Sequence, residues 1–426
     1  MLICDVLDKN AAVRPRKNAI VCGGKAYTFA CLRERTDRLA ALLDSLGIRR
    51  GERVGILLPN CAEYYESFLA PLRIAALSVP LHPCSSLPDL ESIFKDCTIT
   101  ALIMGDENFE EVREIIRKLP HVKCMLINYR HGPLFVPALR ENGFHPLFSG
   151  PDILRAGKKT PVPVRKSVEE DKTAVYVYTS GTTGKAKAVV LTHGIIARRG
   201  ANRRNLVMGE EDRCYTLGGL YHNGKLFIGM VWSLYLGMTF YTDPEFHPLR
   251  TLDRLHYDQI TFFHASPFHF GILAFWEGFG EIPPLPRLHT CLSSGNRLDP
   301  EIKEAFEKRF GASIRENYGI TEAGGLCTDG FPHPGVTVRI QDPRGKEMGK
   351  NQTGEIVVRG AGMSRGYLNR PEQTAEKFRD GYYYTGDVGM MDEQGKLHIF
   401  SRKNNALSPS PWQEAIQKNR FDLFRP

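Results

Sequence analysis

Two short, uninterrupted apolar runs, Val54-Gly55-Ile56-Leu57-Leu58 and Ala101-Leu102-Ile103-Met104, constrain this chain more than any other feature. A run without polar alternation needs cover on both faces, which a strand receives inside a parallel sheet flanked by helices. The first run ends at Pro59-Asn60, and residues 63–76 then carry helical spacing. Tyr27-Thr28-Phe29 likewise precedes a helix-period stretch over 31–46, with Leu39, Leu42, Leu43 and Leu46 in step. Strand, helix, strand with short connections predicts an α/β fold. The pattern continues through 174–178, 260–263 and 287–292. After about residue 330 it gives way to short alternating strands at 336–340, 354–359 and 396–400, separated by Gly, Asp and Pro turns. These predict a small β-barrel or sandwich. No internal repeat is visible, and from Asn404 the pattern dissolves into Ser408-Pro409-Ser410-Pro411, a short amphipathic piece and a basic end.

A chain of 426 residues is too long for one small core. The expected organisation is a first αβ subdomain over 1–165, a second over 166–329, a β-barrel over 330–400, and a remnant over 401–426. The net charge of +8 tolerates an anionic ligand, but no dense basic block alternates with aromatics, so no nucleic-acid partner is expected. Residues 155–204 are the most basic segment and read as a solvated face beside an anion site. Ten cysteines without a C-x-x-C pair suggest free thiols in a reducing compartment. Charges at Asp5, Asp8, Lys9, Arg14, Arg16 and Lys17 rule out the apolar core of a signal peptide in the first twenty residues. The longest uncharged apolar run, 226–242, contains two glycines, a serine and two threonines, and reads as buried core rather than a membrane span. A cytoplasmic protein, not integral to a membrane, is expected.

Behind the strand at 175–178, hydroxyls alternate with glycines in Thr179-Ser180-Gly181-Thr182-Thr183-Gly184-Lys185-Ala186-Lys187. Gly181 and Gly184 permit positive φ and close approach to a ligand. Hydroxyls and backbone N–H groups can converge on phosphate oxygens while a lysine adds point charge. The spacing is not that of a Walker A loop. The same composition would suit a plain surface loop; the buried strand running into it favours the phosphate site.

This segment resembles the phosphate-binding signature of the adenylate-forming superfamily of AMP-binding enzymes: acyl-CoA synthetases, peptide-synthetase adenylation domains and firefly-type luciferases. Ala186 and Ala188 stand where that signature usually has proline and glycine. Residues 27–38 and 51–83 resemble the first two core motifs, and Glu316-Asn317-Tyr318-Gly319-Ile320-Thr321-Glu322 the adenine and metal motif. Residues 354–371 resemble the "GE-[IVL]-x-x-RG … GY-x-x-x-P" stretch, and Tyr384-Thr385-Gly386-Asp387 the ribose motif. The resemblance runs from residue 1 to about 403 and implies the large N-terminal domain of an acyl-CoA synthetase. Alone, Tyr318 would read as a core tyrosine, Glu322 as a surface glutamate and Asp387 as a turn former; their order along the chain gives them roles.

The resemblance implies that Thr179, Ser180, Gly181, Thr182, Thr183, Gly184 and Lys187 hold the phosphates of ATP. It puts Tyr318 over the adenine, with Asn317 and Gly319 beside it and Ser294, Gly295 and Asn296 forming a turn for the flat base. Asp387 can accept both hydroxyls of a ribose diol, with Arg402 reaching the same sugar. Glu322, with Thr182 and Thr321, would serve Mg2+ carried by the triphosphate. Leu220-Tyr221-His222-Asn223-Gly224-Lys225 resembles the family's aromatic-His segment, whose ring orients the carboxylate. His222, Thr182 and Glu322 are therefore candidate catalytic residues, and Tyr221, His222, Gly224, His264 and Ser266 candidate substrate-binding residues. Gly218 and residues 294–297 would also border the acyl tunnel, although Asn296 and Arg297 replace a small residue and a proline usual there.

The implied reaction converts a carboxylic acid and ATP to acyl-AMP, then transfers the acyl group to coenzyme A. An amino- or aryl-acid adenylating domain, or a nucleotide- and acyl-binding protein without turnover, are the alternatives. The resemblance also implies a small C-terminal domain, of ~100 residues, that brings a lysine to the reacting groups. Here the hinge region reads Ser401-Arg402-Lys403-Asn404-Asn405, and the short tail, Lys418 included, lacks that domain's pattern. The expectation is a chain without the domain and with lowered activity, through truncation or a shifted frame near Lys403. A homodimer, or a C-terminal domain supplied in trans, are the partner arrangements left open.

Overall fold

The structure is a computed structural model and describes residues 1–107, 109–128, 167–179, 186–202, 206–278 and 284–402. Both apolar runs lie in neighbouring parallel strands, with Val54 beside Ala101 and Leu57 beside Met104. They belong to a six-stranded sheet in the order Cys124–Asn128, Ala101–Gly105, Arg53–Leu57, Leu77–Pro80, Thr173–Thr179, Lys187–Thr192. Only the last pair is antiparallel, because those two strands flank the glycine–threonine loop as a hairpin. A nine-stranded sheet runs Phe331–Pro332, Gly324–Thr328, Ile314–Ile320, Thr290–Ser294, Phe262–Ala265, Arg213–Thr216, Thr239–Thr242, Asn18–Cys22, Lys25–Thr28. Its middle is parallel and its two ends are antiparallel.

The division expected at 165/166 does not follow these sheets. Asn18–Cys22 and Lys25–Thr28 join the nine-stranded sheet beside Thr239–Thr242, while Thr173–Thr179 and Lys187–Thr192 complete the six-stranded one. Periodicity identifies a strand from its own residues, but its sheet is set by which edge offers a free row of N–H and C=O groups. The two αβ units therefore interleave along the chain.

Between the sheets sit Phe29–Ser45, capped where the Thr28 hydroxyl accepts from Cys31 N at 3.2 Å, and Glu63–Arg73, buried on every face. The charged side chains of the second helix survive burial by pairing. Glu66 meets Arg35, and Arg73 meets Asp8 and Asp37. The uncharged run at 226–242 is interior, as expected: wide π-helical turns over Leu226–Val231 lead into Trp232–Leu236 and strand Thr239–Thr242. Among the described residues no helix is long and apolar enough to cross a membrane.

The last unit is a five-stranded antiparallel sheet. Val336–Gln341, Gly354–Gly360, Tyr382–Met391 and Phe378–Arg379 follow in that order, with Leu397–Arg402 also on Tyr382–Met391. Among the described residues these pairings form a path rather than the closed ring of a barrel. Ile340, Ile356, Val358, Tyr383 and Leu397 fill its core. It docks on the strand leaving the glycine–threonine loop, through Val190 N to Gly366 O at 3.0 Å and Leu368 N to Ala188 O at 2.9 Å.

One buried ion pair braces the nine-stranded sheet next to the candidate site. Asp243 accepts two bonds from Arg254, at 2.7 and 2.6 Å, and a third from the Tyr215 hydroxyl at 2.7 Å. Replacing Asp243 by alanine leaves Arg254 with Asp258 alone and the buried Tyr215 hydroxyl without its carboxylate acceptor, and should cost about 3 kcal/mol in urea unfolding. Replacing Glu114, whose partner Arg117 lies on the surface, should cost less than about 1 kcal/mol.

Candidate active site

The carboxyl ends of parallel strands are where open α/β sheets gather ligands. Here Gly218, Ser266, Gly295 and Tyr318 follow or end four such strands. The Tyr318 hydroxyl donates to Asp387 Oδ2 at 2.6 Å, and Arg402 Nε lies 3.6 Å from Asp387 Oδ1. Asp387 and Arg402 face each other in adjacent strands. Thr385, just before them, is fixed by donating to Ile356 O at 2.7 Å and accepting from Asp387 N at 2.9 Å. Each carboxylate oxygen thus has one partner and keeps a second acceptor position. Burial first, and then the Asp387 charge, push the Tyr318 phenol well above its usual range, so it stays a neutral donor. Gly319 follows because only a residue without Cβ fits: an added Cβ would lie 2.7 Å from Gly324 O.

Glu322 accepts the Tyr367 hydroxyl at Oε1, 2.7 Å away, and that hydroxyl lies 3.2 Å from Tyr383's. Beneath it sits Arg199, only 4% exposed. The basic segment around it was expected to be a solvated face; at this residue it is interior. Helix His193–Ala201 turns Arg198 outward and Arg199 inward. The Arg199 guanidinium donates to Gly362 O at 2.9 Å, Asn223 Oδ1 at 3.0 Å and Thr321 O at 2.9 Å. Burial pushes it below the usual arginine range, opposed by the charge of Glu322. Gly324 makes room: a Cβ there would sit 3.0 Å from Arg199 Nε, and its φ of +80° suits glycine.

Thr179 and Lys187 pair at the base of the glycine–threonine loop, and Lys187 Nζ lies 5.6 Å from the Tyr367 ring centre. Ser180, Gly181, Thr182, Thr183, Gly184 and Lys185 lie outside the described residues, as does the tail from 403 to 426. Among the described residues no group of three or more His, Cys, Asp or Glu could hold a metal by itself. A single carboxylate at Glu322, oriented by Tyr367, fits a Mg2+ that keeps most of its ligands from water and phosphate.

Around the candidate acid-binding residues, His82, Tyr221 and His222 pack with tilted rings, their centres 4.1 Å apart for His82–Tyr221 and 4.4 Å for Tyr221–His222. His222 keeps an edge open to solvent, yet desolvation first, then His82 and Lys225, hold its imidazole well below the usual histidine range. A Cβ on Gly224 would come within 3.8 Å of Ser294 Oγ. Ser294 itself turns inward, 2.7 Å from His264 Nε2, and Ser266 Oγ lies 2.7 Å from His269 Nδ1. Gly295, Asn296 and Arg297 are exposed. Ser294, expected both in the turn for the base and along the acyl tunnel, thus contacts His264, while Gly295 and Asn296 stay open. The half-buried Asn317 pairs with Ser294 across the sheet.

The residue holding this wall in place is Asn60, which the sequence offered only as the end of a strand. Its buried amide donates to Gly218 O at 3.0 Å, Thr242 Oγ1 at 3.1 Å and Asp243 O at 3.1 Å, and accepts from Leu220 N at 2.9 Å. Asn60→Ala leaves these groups without that partner and should cost about 1–3 kcal/mol or more. Hydrogen–deuterium exchange should show faster exchange across 217–222; unchanged protection there would refute the bracing role.

The sequence matches the AMP-binding enzyme family over residues 7–368. A long-chain-fatty-acid–CoA ligase of Bacillus subtilis is 30% identical to it, across 94% of this chain and 77% of that protein. A feruloyl-CoA synthase of an Amycolatopsis species is 28% identical, across 94% and 78%. Among solved structures, the anthranilate CoA ligase AuaEII in complex with anthranoyl-AMP superposes with a TM-score of 0.87 over 96% of this chain and 79% of its own. At 22% identity that likeness bears on the fold alone. A family match spanning most of the chain, over a fold of this kind, makes this protein a member of the AMP-binding enzyme family.

Proposed function

We propose that this chain is an AMP-forming acid–thiol ligase that joins a carboxylic acid to coenzyme A through an acyl adenylate. The observation that carries the reading is the meeting of Tyr318, Asp387 and Arg402, from separate stretches of chain, at the carboxyl end of the nine-stranded sheet. An aromatic face suits a purine, and a carboxylate with spare acceptor positions suits a sugar diol. Thr179, the hydroxyls at 180–183 and Lys187 would hold the phosphates, and Glu322 with Thr182 and Thr321 the metal. When bound, Mg2+ would supply positive charge against the leaving pyrophosphate.

In this reading a carboxylate oxygen attacks the α-phosphorus of ATP, the bond to the β-phosphate oxygen breaks, and pyrophosphate leaves. The sulfur of coenzyme A, its proton lost to solvent, then attacks the acyl carbon, and AMP leaves with the electrons of the anhydride bond. The protein forms no bond itself; it aligns two anions and offsets their repulsion. Arg199 supports this by adding a fixed positive charge beneath Glu322, and His222 by offering a neutral ring beside the acid. The names of the relatives favour a fatty or an aryl acid. All ten cysteines are free and seven are buried, which supports a reducing, cytoplasmic setting.

Exchange of labelled pyrophosphate into ATP across a panel of fatty, aryl and amino acids tests the first step, and thioester formation with coenzyme A the second. Exchange with a fatty or aryl acid is expected. ATP binding without exchange for any acid would overturn the ligase reading and leave a nucleotide-binding protein. Asp387→Ala should raise the KM for ATP by about tenfold or more, the worth of a hydrogen bond to a charged group. Glu322→Gln should lower kcat by on the order of 100-fold. Unchanged kinetics in either variant would remove that residue from the site.

A further inference from the structure

Lys225 is a lysine the proposed reaction does not use. It closes the turn Asn223–Lys225, which carries Gly224 and directly follows Tyr221 and His222, and it is only 8% exposed. Its ammonium lies 3.4 Å from His264 Nε2, and that nitrogen lies 2.7 Å from Ser294 Oγ. A Cβ on Gly218 would fall 3.2 Å from Lys225 Cε, so the side chain runs along the wall formed by Gly218. Among the described residues no carboxylate lies within ion-pair distance of it, and burial alone shifts its ammonium, down to about 7. An ion so placed is expensive unless something compensates it. His264, Ser294, Gly218 and Gly224 are also the residues assigned to border the acid, so the lysine and the acid share one wall.

A plain alkyl or aryl chain would gain nothing from an ammonium, an imidazole and a hydroxyl here, and would leave all three desolvated. We infer that the acid taken by this site carries a second oxygen group, a carboxylate or a hydroxyl, away from the reacting carboxylate, and that Lys225 with His264 receives it. The inference rests on the ligase reading and names its substrate class. Lys225 is then a specificity residue. It rejects the unsubstituted acid by leaving a buried polar group unpaired, the discrimination that hydrogen-bonding pockets achieve best.

The two sources of oxygen separate by pH. A second carboxylate favours the charged ammonium, so its affinity should weaken as pH rises through about 7; a hydroxyl should bind with little pH dependence. The groups facing Lys225 are His264 from strand Phe262–Ala265, Ser294 from strand Thr290–Ser294, His222 ahead of its own turn, and His269 from helix Pro267–Phe275. Burial and the Lys225 charge lower both His222 and His269, so neither changes charge above pH 7.

Pyrophosphate exchange should be measured with matched sets: octanoate, octanedioate and 8-hydroxyoctanoate, shorter and longer homologues, and benzoate, terephthalate and 4-hydroxybenzoate. At least one oxygen-bearing acid should exceed its plain counterpart in kcat/KM by tenfold or more. Lys225→Met should reverse that preference and remove the pH dependence of a diacid, while Lys225→Arg should keep part of it. Plain acids preferred by the wild type, or a Lys225→Met variant that slows every acid by one factor, would overturn the inference. If no acid supports exchange, the ligase reading fails on its own. Calorimetric binding of the same acids with ATP present, to wild type and Lys225→Met, then decides: tighter binding of the oxygen-bearing acids that Met abolishes supports the assignment, and equal binding refutes it.

Discussion

The candidate site depends on one buried guanidinium. Arg199 leaves the helix after the glycine–threonine hairpin and donates to three different parts of the chain: Asn223 in the turn after His222, Thr321 beside Glu322, and Gly362 in the last sheet unit. Burying a cation against neutral acceptors is costly, and only a full set of well-aimed hydrogen bonds makes it tolerable. The cost explains its surroundings. Gly324 leaves space for the side chain, Phe227 offers its ring face at 5.2 Å, and the indole of Trp232 donates to the Arg199 carbonyl at 3.0 Å. Through these contacts, elements far apart in sequence share one reference point.

Asn60 performs the same service for the opposite wall with a neutral group. Four hydrogen bonds to one amide fix the Gly218–Leu220 loop against the end of strand Thr239–Thr242 and Asp243 just after it, and Asp243 is itself fixed by Arg254 and Tyr215. Polar groups in the interior are satisfied here in chains, so each member restrains the next. The interleaving of the two large sheets gives such chains their place: Asn60, just past the end of a strand of the six-stranded sheet, reaches loops and strands of the nine-stranded one.

Much of the candidate site could be read from residues in order. The hydroxyl–glycine loop, Tyr318 with Glu322 four positions on, and Thr385-Gly386-Asp387 are local patterns, because turns and close backbone approaches need particular residue types at fixed spacing. Arg199 could not be read in that way. Two adjacent arginines on a short helix give no sign of which turns inward, and the glycine at 324 that makes room for it lies far along the chain. Asn60, His82, Tyr367 and Lys225 fall inside motif-like stretches, but no local pattern singles them out, since each acquires meaning from a partner across the fold. The error over the basic segment has the same origin, because charge count along a chain does not report depth.

Taken alone, the sequence determined the α/β class, the buried strands at 54–58 and 101–104, the change to antiparallel strands after residue 330, and the family-type motifs. These follow from periodicity and residue chemistry, which act over a few neighbouring positions. Only the tertiary structure decided which sheet each strand joins, that the last five strands form an open path, that Ser294 turns toward His264, and that Lys225 is buried without a carboxylate beside it among the described residues. Those outcomes depend on which free edges and unpaired polar groups meet once the chain is compact, and no window of sequence contains both partners.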